Sequence, residues 1–198
     1  MRIGLYGGCF NPVHVGHLAV ARGAIAALAL DELIFIPSGH PPLKGDDGLA
    51  EGTHRVAMLR RAIADDGRMQ VSRIELDREG PSYTVDTVRA LRGQWPEGAV
   101  LFFLLGDDCL ERLPRWHGID DLHALLRFVV ARRTSPNGAA RDPRLIPLDL
   151  PHIAVSSTQV RDMIAVGQRP PATLLPSAVT DYIVAHGLYG SMREPACA

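Results

Sequence analysis

The sequence predicts an α/β domain, a mainly parallel sheet covered by helices on both faces. Three observations carry this. Short apolar runs alternate with longer stretches of helical character along most of the chain. The runs LIFI at 33–36 and VLFFLL at 100–105 are apolar at every position, as strands buried on both faces require. The 198 residues are 46% hydrophobic and 22% charged, an ordinary globular balance and enough chain for one core.

Each element follows in order. RIGLY at 2–6 is a strand ended by Gly7-Gly8, and the Ala/Leu-rich stretch at 16–30 is the first helix. LIFIP at 33–37, MQVSRIE at 69–75, AVLFFLLG at 99–106 and RFVVA at 127–131 are further strands. HRVAMLRRAIA at 54–64 and YTVDTVRALR at 83–92 are helices, with Ser82 a plausible N-cap for the second. Two more helices are expected, one from Ser157 and one over 178–187. Pro/Gly-rich loops fill 37–48 and 134–143. Residues 1–188 are expected to form a single domain and 189–198 a flexible C-terminal tail.

Composition narrows the partners. A net charge of −1 leaves no electrostatic footprint for DNA or RNA. Cys9, Cys109 and Cys197 are odd in number and widely spaced, poor material for disulfides or a zinc site and suited to a reducing cytoplasm. No run approaches the length of a membrane span, and the opening RIGLYGG has no signal-peptide pattern. The expectation is a cytoplasmic protein without membrane or nucleic-acid partners.

Ligands of such sheets bind at the carboxyl ends of strands. The segments there are GGCFNPVHVGH (7–17), PSGHPPLK (37–44) and GDD (106–108), each rich in Gly, His, Lys or Asp. In the first, the glycines admit an anion to backbone N–H groups, the helix start supplies a positive dipole end, and His14 and His17 can point at one phosphate. It matches neither GxGxxG nor the P-loop. A capped turn with incidental histidines, or a histidine pair awaiting a metal, fits the same residues, although no third metal ligand is nearby. In SSTQVR (156–161), Ser156 and Gln159 suit a capping box, while the hydroxyls and end N–H groups suit a phosphate equally. Lys44 is a phosphate contact or a solvated lysine, and Asp108 reads as a helix cap. Trp95 is read as structural, and His40, His54, His123, His152 and His186 carry no motif.

GGCFNPVHVGH resembles the GGxFxPxHxGH signature of the nucleotidylyltransferase superfamily, specifically the bacterial nicotinate mononucleotide adenylyltransferases. SSTQVR resembles its SSTxxR motif, and PSGHPPLK, GPSYTVDT, LLGDD and LPRWHG continue the likeness over nearly the whole chain. The sequence departs from the common PPHK form by placing Leu43 before Lys44.

The resemblance implies a Rossmann-like, doubly wound fold. It also implies transfer of AMP from ATP to nicotinate mononucleotide, giving nicotinate adenine dinucleotide and pyrophosphate in NAD biosynthesis. His14, His17, Lys44 and Arg161 would be catalytic. Gly7, Gly8, Phe10, Gly106, Asp108, Ser156, Ser157 and Thr158 would bind ATP. Tyr83, Thr84, Trp116 and His117 would bind the mononucleotide, Trp116 by stacking on the pyridine, Thr84 and His117 through backbone N–H groups on its carboxylate. Mg²⁺ is expected to arrive with ATP, with no protein metal site. The competing readings are transfer to nicotinamide mononucleotide or to phosphopantetheine, and a nucleotide-binding regulatory module without turnover.

Overall fold

A computed structural model describes residues 1–39, 48–132, 142–151 and 153–191. Strands β1 (Arg2–Gly8), β2 (Glu32–Pro37), β3 (Met69–Val71), β4 (Val100–Gly106), β5 (Arg127–Arg132) and β6 (Leu145–Asp149) form one sheet in the order β3-β2-β1-β4-β5-β6. All pairings are parallel. The helices are α1 (Val15–Leu28), α2 (Gly52–Ala62), α3 (Thr84–Arg92), α4 (Ile119–Leu125), α5 (Ser157–Ala165) and α6 (Ser177–His186). The expected doubly wound α/β architecture is what the chain adopts.

The central strands feed two cores through their period of two. In β4, Phe102 and Leu104 join the core that holds Leu18, Ala21, Met58, Leu59, Val160 and Ile183 of α1, α2, α5 and α6. Leu101, Phe103 and Leu105 join the opposite core with Val85, Val88, Leu91 and Leu122 of α3 and α4. A fully buried side chain such as Phe102 contributes roughly 1.5–3 kcal/mol relative to exposure, so one strand supports both layers.

Two expectations change and two elements are added. The strand anticipated over 69–75 stops at Val71: Ser72 N–H makes a last ladder bond to Phe35 O (2.9 Å), and Ser72 Oγ takes the Ile74 N–H (3.3 Å), turning the chain away. Strand β6 was not anticipated, because Pro147 disguises it; at the sheet edge a missing N–H costs no ladder bond. The seven-residue α4 is too short for its periodicity to stand out. Finally, order continues beyond Leu188, in a 3₁₀ turn over Leu188–Gly190 and a Ser191 Oγ bond to Ile183 O (3.1 Å).

Candidate functional site

The sheet order reverses between β1 and β4, so the loops leaving these adjacent strands diverge and open a crevice at their carboxyl ends. The β1–α1 loop forms one wall. His14 is the N-cap of α1, and its backbone N–H donates to Nδ1 of His17 (3.2 Å), which occupies N3. Because that Nδ1 accepts, the His17 proton sits on Nε2. The two imidazoles stack with centroids 3.8 Å apart. Gly16 permits this arrangement, since a Cβ there would sit 3.1 Å from the His14 ring and from Val155. The ring of Phe10 is buried and meets His17 edge-on at 5.1 Å. Its side chain therefore supports the imidazole. The helix start anticipated at Gly16 lies one residue earlier, at Val15.

The opposite end of the chain docks on this loop. Ser156 caps α5, its Oγ accepting the Gln159 N–H (3.1 Å), which is the N-cap half of the capping box that the sequence suggested. Ser157 Oγ donates to Pro12 O (3.0 Å), while Arg161 donates to Asn11 O (2.8 Å) and to Thr158 Oγ1 (3.2 Å). SSTQVR is thus a cap and also a clamp on the phosphate-type loop. A third hold comes from Arg55 of α2, whose guanidinium is buried and donates to Ala50 O (2.9 Å), Cys9 O (3.0 Å) and Ser38 O (2.8 Å). One side chain thereby ties the loops after β1 and β2 together. Leaving those buried carbonyls without donors costs roughly 1–3 kcal/mol each.

On the other side of β1 a cleft of about 460 Å³ brings together Gly7 and Gly8 of β1, Gly106 at the end of β4, Asp108 just after it, and Tyr83, Thr84, Trp116 and His117. Phe103 and Phe128 hold Trp116 edge-to-face at 5.8 and 6.2 Å, and Tyr83 lies against His117 at 4.5 Å. The N-cap of α3 is Tyr83 with no side-chain cap bond. Ser82, anticipated in that role, instead accepts the Gly39 N–H (3.2 Å). Gly39 is glycine because a Cβ there would stand 2.2 Å from Glu75 O and 3.2 Å from Ser82 Oγ. An uncapped helix start in a cleft favours an anionic group there.

Sequence reasoning overlooked several residues. Arg112, Arg115 and Glu75 line the cleft. Burial pushes the Glu75 carboxyl above its ordinary range, opposed by the Thr87 hydroxyl bond (2.8 Å) and by Arg78. Arg55 had a signal, because it stands among Val56, Met58, Leu59 and Ala62 on the buried face of α2, a charge within an apolar stripe. The structure does not bring every expected residue to one surface: His14 lines a separate hollow of about 30 Å³ with Arg132 and Val155. Lys44 and the Leu43 departure lie outside the described residues, as do His40 and His152. Trp95 is structural, its indole bonding Glu32. Among the described residues no group of three or more His, Cys, Asp or Glu side chains is arranged to hold a metal ion. No helix among them is long and apolar enough to cross a membrane.

A parallel sheet with order 3-2-1-4-5-6, an anion-type loop after β1 and a cleft at the switch point define the class: an α/β nucleotide-binding domain. The cytidylyltransferase-like family model matches residues 5–163. The nicotinate-nucleotide adenylyltransferase of Bacillus subtilis is 37% identical over 96% of this chain and 99% of its own length. A Bacillus pumilus protein named "Probable nicotinate-nucleotide adenylyltransferase" is 43% identical with the same coverage. The solved structure of Plasmodium falciparum nicotinic acid mononucleotide adenylyltransferase complexed with NaAD superposes with a TM-score of 0.75 at 17% identity, covering 98% of this chain and 99% of that one. The chain belongs to the cytidylyltransferase-like family, among its nicotinate-nucleotide adenylyltransferases.

Proposed function

We propose that this protein transfers the AMP part of ATP to nicotinate mononucleotide, yielding nicotinate adenine dinucleotide and pyrophosphate, in the cytoplasm. The observation that carries the reading is the clamp of α5 on the β1–α1 loop, directly beside a cleft furnished with Trp116, His117 and the uncapped start of α3. The nucleophile is a phosphate oxygen of the mononucleotide, ionised at neutral pH, so no side chain must first remove a proton. Its oxygen bonds to the α-phosphorus of ATP as the bond from that phosphorus to the bridging oxygen of pyrophosphate breaks. Positioning and charge stabilisation are then what the protein contributes.

His14 and His17 face the triphosphate as N–H donors in this reading. Arg161, fixed at 2.8 Å on Asn11 O, offers its guanidinium to the leaving pyrophosphate, with Lys44 as a second cation. The main chain of Gly7, Gly8 and Phe10 and the α5 start at Ser156, Ser157 and Thr158 cradle phosphates, while Gly106 and Asp108 receive the ribose hydroxyls. Tyr83, Thr84, Trp116 and His117 take the pyridine ring and its carboxylate. Mg²⁺ would enter on ATP, held by phosphate and water because it dehydrates reluctantly. When bound, that ion neutralises phosphate charge.

The test is direct. Mg-ATP is mixed with nicotinate mononucleotide, nicotinamide mononucleotide or phosphopantetheine in turn, and pyrophosphate is measured. Release with the nicotinate compound above the other two is expected. Release only with phosphopantetheine, or with none, would overturn the reading, the latter in favour of a regulatory module.

A further inference from the structure

Three segments far apart in the chain converge through four hydrogen bonds on Asn11, which is 7% exposed and lies three residues before His14. Its Nδ2 donates to Gly48 O (2.8 Å), its Oδ1 accepts the Ala50 N–H (3.0 Å), and its backbone carbonyl accepts Arg161 (2.8 Å). The fourth contact is the shortest: Tyr189 Oη donates to Asn11 Oδ1 at 2.7 Å, across 178 residues. The preceding Phe10 has φ 48°, a conformation that L side chains rarely adopt and that surrounding contacts must enforce.

Tyr189 is itself held in an unusual place. It sits in the 3₁₀ turn Leu188–Gly190 with φ 57° and ψ 29°. Gly187, the left-handed C-cap of α6, precedes it, and the Ser191 bond to Ile183 O (3.1 Å) follows it. Burial pushes its phenol above the ordinary range, so the hydroxyl remains a neutral donor, and Arg161 and Arg55 both lie near enough to act on it electrostatically. Tyr189 does not line the cleft, nor the hollow beside His14. What its hydroxyl touches is Asn11, the node that shapes the loop.

We propose that Tyr189 is a positioning residue, whose hydroxyl acts through Asn11 to hold the β1–α1 loop in the form that presents His14 and His17 to ATP. This rests on the adenylyl-transfer reading above. It also gives the last turn of the described chain a function, since the loop is incomplete without it.

Tyr189→Phe tests the idea, because it keeps the ring and removes one hydroxyl. We expect kcat to fall about tenfold, as for a small misplacement of reacting groups, with KM for nicotinate mononucleotide changed less than about twofold. In a His17→Ala background the same replacement should cost less than about twofold, because coupled positions are not additive. A hydroxyl that merely stabilises the fold would show no such coupling. Amide hydrogen exchange adds a readout independent of turnover: residues 9–14 should exchange faster in Tyr189→Phe while the sheet amides stay unchanged. Wild-type kcat with unchanged exchange at 9–14 would overturn the proposal. So would a uniform rise in exchange, full additivity with His17→Ala, or a variant that fails to fold, each marking the hydroxyl as purely structural. A wild-type protein without turnover on any mononucleotide would overturn the adenylyl-transfer reading instead, and the exchange measurement would then decide on Tyr189 alone.

Discussion

The two sides of β1 are built on different principles. On the α1 side, the loop from Cys9 to His14 is tied down by directional bonds from distant elements, with Arg55, Arg161, Ser157 and Tyr189 each donating to it. On the cleft side, Trp116 and Tyr83 are placed by ring contacts with Phe103, Phe128 and His117, and the start of α3 carries no side-chain cap. The contrast matches the two ligands proposed. A triphosphate changes charge during transfer and needs donors fixed in advance. A pyridine ring does not change, and needs only a flat apolar contact and one anion site.

The largest effect should come from the cleft, where discrimination rests on a single substituent. A site that hydrogen-bonds a group rejects an analogue lacking it by about 10² to 10⁵, so kcat/KM should favour nicotinate over nicotinamide mononucleotide by a factor in that range. Equal values would mean that the α3 start does not read the carboxylate, and the comparison between the two walls would lose its second half.

On the loop side, His17→Ala removes a donor held in place by the His14 backbone bond (3.2 Å) and by Phe10. Turnover should fall about 10² to 10³, roughly 3 to 4 kcal/mol, in a protein with wild-type circular dichroism. A folded variant with near-normal turnover would remove His17 from the chemistry. Arg161→Lys comes next. Lysine keeps the charge but loses the fork that spans Asn11 O and Thr158 Oγ1, and hydrogen bonds to charged groups are worth about 1.5–3 kcal/mol. A loss of about tenfold in kcat/KM for ATP is expected, and wild-type kinetics would leave Arg161 as a packing residue.

How much of this was legible before the structure differs between the walls as well. The fold was legible because VLFFLL and LIFI, apolar at every position, leave little option but a sheet covered on both faces. The loop motif was legible as residue types and spacing, and the cap at Ser156 followed from Gln159 three residues on. The bonds that hold the loop were not. Hydrogen bonds from Tyr189 and Arg55 to Asn11 and Cys9 span 178 and 46 residues, and nothing local in the sequence encodes them. Ser82 misled for the opposite reason: its type suits a cap, but a tertiary contact with Gly39 claims its hydroxyl. Edge strand β6 was hidden by Pro147, which only the strand's position at the edge tolerates.

The smallest effect concerns Glu75, which places a buried carboxyl in the cleft that is meant to take an anion. Burial raises its folded-state pKa above the ordinary value of 4.5, with the Thr87 hydroxyl and Arg78 opposing the shift. The native state therefore holds its proton more tightly than the unfolded chain, and ionising it costs native stability. That cost is absent below the ordinary value, grows as pH rises through the raised folded value, and is constant above it. Glu75→Gln keeps an oxygen to accept from Thr87 Oγ1, now at 2.8 Å, and removes the titration. In urea unfolding, the stability of the variant minus that of the wild type should become more positive from pH 4 to pH 8, on the order of 1 kcal/mol, the scale of an ordinary point substitution. The other titrating groups cancel in this difference. A flat or falling difference would show Glu75 to be ionised and well paired in the native state. The cleft would then carry a fixed negative charge beside Trp116, and its preference for a carboxylate would have to overcome that charge through Arg112 and Arg115.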